Sequence, residues 1–353
     1  MRLGLIIATS AFATTLVLAP ACTSFNSEPL AADAVPDAAP DAAPDSAPDA
    51  GAVLCTLPEA RAGEATTCAG DCTAKPLYEQ VMAEQAVVAG LGVYIVKQQS
   101  VLFSNNVYTG TFTKLDDGPA LMGAPTQIAV DAEYVYASTS AAHVRVPVGG
   151  GMIVPLVLEN FDASPLVFGT KAFFQRQPTR VLRALKDGTT SESTTAIEPE
   201  ALAVDGDAAY WIGKNSASEH VMLGPFPSVK QVAPVTSPVL GFAVRAGAAY
   251  VAEFGTKGGS RISRIALRDG ARAALVDEPG KIESLTFDGE KLYWVALRFP
   301  AAGTRVLVSL EPCAGEVTVL ATELQPLAAL SFNGENAFAT ATTRLGPIYR
   351  MRK

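Results

Sequence analysis

The sequence predicts an all-β protein: a seven-bladed β-propeller whose ring is closed by an N-terminal outer strand, with a six-bladed ring as the alternative. Three observations carry this expectation. First, one unit recurs seven times, an apolar strand, a tight polar turn and a second strand with an aromatic five residues after the turn opens; the aromatics are Tyr94, Tyr136, Phe174, Tyr210, Tyr250, Tyr293 and Phe338, spaced 36 to 45 residues apart. A repeat of about 40 residues holding several short strands is the signature of a propeller blade. Second, Asp205-Gly206, Asp288-Gly289 and Asn333-Gly334 are dipeptides that favour the left-handed backbone of a two-residue hairpin. Third, Ala74–Lys353 is 280 residues, seven units of 40, and the last unit stops at its third strand. The stretch Ala74–Val88 has the character of an outer strand running into an inner one, so residues near Ala74–Gln80 should pair with Ile348–Arg350 and leave no free edge.

Taken from the N-terminus, residues 1–21 read as an export signal. Met1-Arg2 precedes an uncharged apolar run, Leu3–Leu18, and Ala19-Pro20-Ala21 supplies small residues for cleavage. Cys22 follows, and this arrangement resembles the lipobox of bacterial lipoproteins, whose cysteine carries diacylglycerol. The resemblance implies lipidation at Cys22 and a place at the outer membrane or cell surface; ordinary cleavage after Ala21 would instead give a soluble periplasmic or secreted protein. Cysteine parity favours the lipid, because the chain has five cysteines and removing Cys22 leaves an even set suited to an oxidising compartment.

Residues 22–54 read as a disordered stalk. Pro36, Pro40, Pro44 and Pro48 recur every four residues, each followed by an aspartate. Between Val35 and Val53 nothing is apolar and larger than alanine, so burial cannot offset the entropy of folding, while proline and charge repulsion extend the chain. Residues 55–73 read as a disulfide-bearing segment and 74–353 as the propeller. Cys313 falls in the turn between the third and fourth strands of the sixth unit, on the face where an outer strand begins. Cys68 and Cys72 arrive there just before the closing strand, so one of them, Cys72 by preference, should bond Cys313, and Cys55 the other. Cys68-x3-Cys72 could be half of a zinc site, but no second half exists, and exported thiols favour disulfides.

Within the repeats, third strands such as Arg261–Leu267 and Ala142–Val148 follow loops of variable length, and fourth strands such as Ala271–Glu278 and Glu316–Glu323 complete the unit. The turn aspartates look like carboxylate clusters, yet hairpin chemistry accounts for them. FDGEKLYW (Phe287–Trp294) resembles the repeats of YWTD- and NHL-type propellers, which are mostly six-bladed. The chain as a whole resembles bacterial propeller lipoproteins with Pro/Asp-rich stalks. This resemblance implies the fold and an envelope setting and leaves function to the site.

Composition limits that function. Lys and Arg number 27 against 35 Asp and Glu, a net charge of −8, which excludes an electrostatic nucleic-acid binder and a polybasic membrane patch. Contact with a membrane is therefore expected through the lipid alone, and the protein is expected to be a monomer. His143 and His220, the only histidines, enter the third strands of separate units and read as surface residues. The glycines of PVGGGM (Pro147–Met152) read as a hairpin turn and not as a phosphate cradle, since no helix follows. The sequence carries no nucleophile elbow, nucleotide loop or zinc-protease pattern, and no cofactor is expected.

What remains is the top rim, where loops between second and third strands gather. Lys97, Arg176, Lys214, Glu253 and Arg298 stand there just past the aromatic strands. Loops on a rigid scaffold are where recognition concentrates. The expectation is a non-enzymatic envelope recognition or scaffold lipoprotein that binds a protein or carbohydrate partner at this rim. The competing reading is an envelope hydrolase or lyase with a channel site, for which Glu200 and Glu283 are the inner-strand carboxylates. A purely structural role is the third.

Overall fold

In a computed structural model of the chain, the residues described are 61–62, 72–74, 76–78 and 85–353, the last with gaps at 90–91, 98–99, 105–111, 118–120, 122–124, 140, 157–165, 187–190, 196, 216, 218, 237, 256–257, 299–302, 313–314, 335 and 342–346. All regular structure among them is β-strand. Six sheets are built on four strands consecutive in the chain, and the fifth of them also carries Arg61–Ala62 at its outer edge. In order they span Gln85 to Lys114, Pro125 to Leu156, Leu166 to Thr195, Ile197 to Pro234, Val239 to Glu278 and Lys281 to Leu324. The remaining sheet is composite: Leu327–Asn333, Asn336–Ala341 and Ile348–Arg352 are completed by Pro76–Tyr78 from the other end of the chain. The sheets are called first to seventh in that order.

The consecutive strands of each sheet form an antiparallel meander whose turns explain its register, and Arg61–Ala62 pairs in parallel with Arg272–Glu278. Asp205 stands opposite Ala208, Phe287 opposite Leu292 and Asn333 opposite Asn336, so the predicted dipeptides sit at hairpin tips. Gly206 takes φ 60° at its tip, a conformation glycine adopts without strain. Gly150 and Gly151, also at positive φ, turn between the third and fourth strands of the second sheet, and the Gly151 N–H donates to the Leu115 carbonyl at 3.0 Å. The glycine run is thus a hairpin that also stitches the second sheet to the first.

The core lies between sheets. One hydrophobic cluster bridges the first and second sheets (Val96, Val101, Val135, Val146), and others bridge second to third, third to fourth, fourth to fifth, fifth to sixth and sixth to seventh. The last, Val93 and Ile95 with Phe338 and Ile348, joins the first sheet to the seventh, so the series closes on itself. Sheet-to-sheet burial is why second strands such as Ala248–Phe254 and Leu292–Arg298 read as nearly all apolar. The repeated aromatics do this packing: Trp294, Tyr293, Phe174 and Phe338 are almost fully buried. The fold is the β-propeller the repeats predict. Its closing strand lies where expected, with Pro76 opposite Tyr349 and Tyr78 opposite Ile348.

Candidate functional site

The five rim residues sit at the ends of second strands, as their place in the repeats requires. Lys97 ends Gly92–Lys97, but its side chain lies outside the described residues. The other four are tied into the scaffold. The Arg176 guanidinium donates to the Glu200 carbonyl oxygen, and burial works against its charge while Glu200 supports it. Lys214 pairs with Glu198, and that hydrogen bond holds the ammonium pKa up and the carboxyl pKa down. Glu253 is only 3% exposed. Its carboxylate accepts the Thr236 N–H at 2.6 Å and pairs with Arg272. Arg298 makes a two-pronged contact with Glu278, Nε to Oε1 at 2.7 Å and Nη2 to Oε2 at 2.9 Å. Strand-end charges that a repeat pattern assigns to solvent are therefore paired, with the Glu253 and Glu278 carboxylates buried and Lys214–Glu198 at the surface, and Arg261–Asp277 and Arg305–Glu283 continue the pairing. Opposite charges fixed on rigid strands hold the rim in one shape. Phe254, beside Glu253, stands out of it with 52% of its surface exposed.

The inner-strand carboxylates do not converge. Glu200 Oε1 lies 2.7 Å from His220 Nε2 in the fourth sheet, and Glu283 receives Arg305 in the sixth. Among the described residues, no group of three or more His, Cys, Asp or Glu could hold a metal ion. His143 corrects the surface reading: it is 5% exposed, and its Nδ1 lies 3.0 Å from Ser138 Oγ, the residue opposite it in the ladder. Periodicity hides this pair because a hairpin brings together residues five apart that read as unrelated polar positions.

The opposite face is made by the hairpin tips, and there the spacing of turn and aromatic serves a carboxylate–phenol contact in two of the repeats. Asp131 Oδ1 accepts the backbone N–H groups of Glu133 and Tyr134, both at 2.9 Å. Its Oδ2 accepts the hydroxyl of Tyr136 at 2.8 Å and the ammonium of Lys186, from the next sheet, at 2.9 Å. Asp288 repeats this with Glu290, Lys291, the Tyr293 hydroxyl at 2.7 Å and Lys353 at 2.6 Å. Five residues is the distance that lets a turn carboxylate reach the phenol across its own hairpin. In both triads burial disfavours the carboxylate charge, but the lysine, the two backbone donors and the phenol outweigh it and hold the Asp below the usual range. The tyrosines shift up, through burial and then through the adjacent carboxylate.

A second set of contacts links neighbouring tips. The Thr170 N–H donates to Gly206 O at 3.0 Å, and the Lys171 N–H donates to Asp207 Oδ1 at 2.7 Å. Asp205 pairs with Arg245 at 3.2 Å, and Arg245 Nε reaches Gly289 O at 3.3 Å. These tips surround a depression of about 150 Å³ floored by Phe168, Val204, Val244 and Phe287.

The two triads give a pH prediction. A carboxyl whose folded pKa lies below its unfolded value of about 3.9 contributes stability that is present above that value and lost as pH falls through the folded pKa. Urea midpoints should therefore hold between pH 6 and 5 and fall steeply below about pH 4. In the Asp131→Asn, Asp288→Asn double variant the midpoint at pH 6 should be lower and the acid limb flatter. Parallel curves for parent and variant would refute the assignment.

Cys72 is disulfide-bonded. Cys22, Cys55, Cys68 and Cys313 lie outside the described residues, as do the export segment and the stalk.

No protein-family model matches the sequence, and comparison with curated proteins gives no match. Solved structures are similar in fold. A chain of the mitotic checkpoint complex shares 12% identity and a TM-score of 0.55, with 84% of this chain and 96% of that chain covered. The WD40 domain of Pan2 from Neurospora crassa shares 10% identity at a TM-score of 0.51, covering 76% and 88%. A puromycin hydrolase shares 13% at 0.50, covering 76% of this chain and 53% of its own. At these identities the likeness is one of fold, to propellers found in assemblies and in an enzyme alike.

Proposed function

We propose that the protein is a non-enzymatic recognition or scaffold lipoprotein of the cell envelope that binds a protein partner through its top rim. The observation that carries the reading is the rim itself: buried ion pairs at Glu253 and Glu278 fix its shape, and Phe254 projects from it. An exposed aromatic on a rigid, charge-patterned surface is the anatomy of an interface hot spot. One of the propellers similar in fold, the checkpoint chain, comes from a protein complex, which supports a protein over a carbohydrate. The separated, internally paired Glu200 and Glu283 give the channel-enzyme reading no constellation to work with.

Two measurements test it. Photo-crosslinking from a probe amino acid at position 254 on the envelope of the producing cell should give a discrete protein adduct, and Phe254→Ala should abolish partner retention without moving the melting temperature. No adduct from the rim, with adducts from control sites on the hairpin-tip face, would overturn the proposal. For the anchor, a palmitate analogue should label the protein, and Cys22→Ser should abolish the label and release the protein to the soluble fraction. An unlabelled parent in that fraction would refute the lipid.

A further inference from the structure

The depression on the hairpin-tip face has a wall residue that the repeat does not explain. At the inner-strand position opposite the repeated aromatic, the first five sheets carry apolar residues: Val87, Ala129, Val167, Ala203 and Ala243. The sixth sheet places Thr286 there, opposite Tyr293. Thr286 is 4% exposed and lines the depression. Among the described residues its side chain makes no hydrogen bond. A hydroxyl taken from water without a partner destabilises a fold, so this threonine costs stability where the alanine or valine of the other sheets would not.

Further polar groups line the same space. Thr170, exposed at the third sheet's tip, also makes no side-chain hydrogen bond among the described residues. Arg245 reaches from the fifth sheet to both of its neighbours, Nη1 to Asp205 Oδ1 at 3.2 Å and Nε to Gly289 O at 3.3 Å. Its Nη2 has no protein acceptor among the described residues. Asp205 Oδ2 accepts the Ala246 N–H at 2.8 Å. The mouth is thus polar, with its one cation and one anion already paired to each other.

These groups select a neutral ligand that carries hydroxyls on an apolar frame. A carboxylate brought to Arg245 would meet Asp205 on the same guanidinium, and an amine brought to Asp205 would meet Arg245. A purely apolar ring would match Phe168, Val204, Val244 and Phe287 but leave the Thr286 hydroxyl unpaired. A pyranose offers such a floor its C–H face and offers the walls hydroxyls that both give and accept. A volume of about 150 Å³ admits a single ring. We propose that the hairpin-tip depression binds one neutral sugar ring, with Thr286 and Thr170 as hydroxyl partners, Arg245 Nη2 as a donor and the apolar floor beneath the ring. The site lies on the face opposite the top rim and does not depend on what the rim binds.

The test uses the full chain and saturation-transfer NMR. The probes are the methyl glycosides of glucose, galactose, mannose, N-acetylglucosamine and xylose. At least one should bind with a Kd on the order of 1 mM, the affinity that about a dozen non-hydrogen atoms gain at ordinary ligand efficiency. Thr286→Val keeps the side-chain shape and removes the hydroxyl. It should weaken that binding about tenfold while the melting temperature stays equal or rises, the reverse of what a structural threonine gives. Thr170→Val should weaken binding as well, and Phe254→Ala on the rim should leave it unchanged. Two sources of the ring are then told apart. A site for free sugar prefers the unsubstituted monosaccharide, and a site for glycan ends holds a disaccharide ending in that ring at least as well; either result supports the proposal. Saturation transfer to none of the probes would overturn it. So would acetate or cyclohexanol binding more tightly than every sugar, or sugar binding that Thr286→Val leaves unchanged. A Thr286→Val variant that melts well below the parent would assign the hydroxyl to the core and overturn it too.

Discussion

Replacing Glu278 by alanine is expected to cost about 3–5 kcal/mol, the range for breaking a buried ion pair by removing one partner. Glu278 is 3% exposed at the end of the fifth sheet's outer strand, and its carboxylate serves four donors. Trp294 Nε1 donates at 2.9 Å, Arg298 through Nε at 2.7 Å and Nη2 at 2.9 Å, and the Gly280 N–H at 3.1 Å. Trp294 is itself fully buried. Without the carboxylate, its indole N–H and the largely covered guanidinium both lose their acceptor. For a domain of this size that corresponds to a fall in melting temperature of roughly 10 °C. Glu278→Gln keeps an acceptor for the indole and should lose about half as much, by the smaller cost of a neutral hydrogen bond. The pair Glu278→Leu, Arg298→Met removes both charges and should recover much of the loss. If the alanine variant melts within about 2 °C of the parent, the fifth-to-sixth junction does not depend on this carboxylate.

Glu278 also shows what the sequence conceals. Strand alternation and hairpin dipeptides are local signals, so the repeats, the turns at Asp205, Asp288 and Asn333, and the closing role of the Ala74–Gln80 stretch were legible. The constant spacing of turn and aromatic was legible as a number, but the triads it permits at Asp131 and Asp288 were not, because Asp288 also meets Lys353 65 residues away. The rim residues are legible by position but not by their pairing. A charge at a strand end reads as solvated; Glu253 and Arg298 are instead held by Arg272 and Glu278, whose pairing depends on how one sheet leans on the next. His143 was missed for the same reason, since nothing local says that Ser138 faces it. The parallel contacts of Arg61 and Ala62 had no signal at all, because two residues cannot show a period.

Deleting the chain through Gln80 is expected to have the second large effect, aggregation of an opened ring. Pro76–Tyr78 is the outer strand of the seventh sheet, where Ile348, Tyr349 and Met351 are each under 7% exposed. Leu77 and Tyr78 pack on the cluster of Val93, Ile95, Phe338 and Ile348 that joins the first and seventh sheets, and Tyr78 meets Phe112 at 5.7 Å between ring centres. Removing two such side chains forfeits roughly 1.5–3 kcal/mol for each at full burial, somewhat less here because both are partly exposed. The deletion also turns Ile348–Arg352 into a bare edge of strand-forming sequence, IYRMR, and strips Arg61–Ala62 from the fifth edge and Thr73 from the sixth at once. Pro76–Tyr78 in the seventh sheet and Gln85–Ala89 in the first are the consecutive strands that link these two sheets, so removing the former lets the first and seventh sheets separate while the others stay folded. The truncated protein should elute as large species, bind an amyloid-type dye more than the parent does, and melt well below it. A peptide of residues 72–84, added during refolding, should restore monomer by refilling the seventh sheet. A truncated protein as monomeric and as heat-stable as the parent would show that the ring is held by its sheet-to-sheet cores alone, with the N-terminal strand as an ornament.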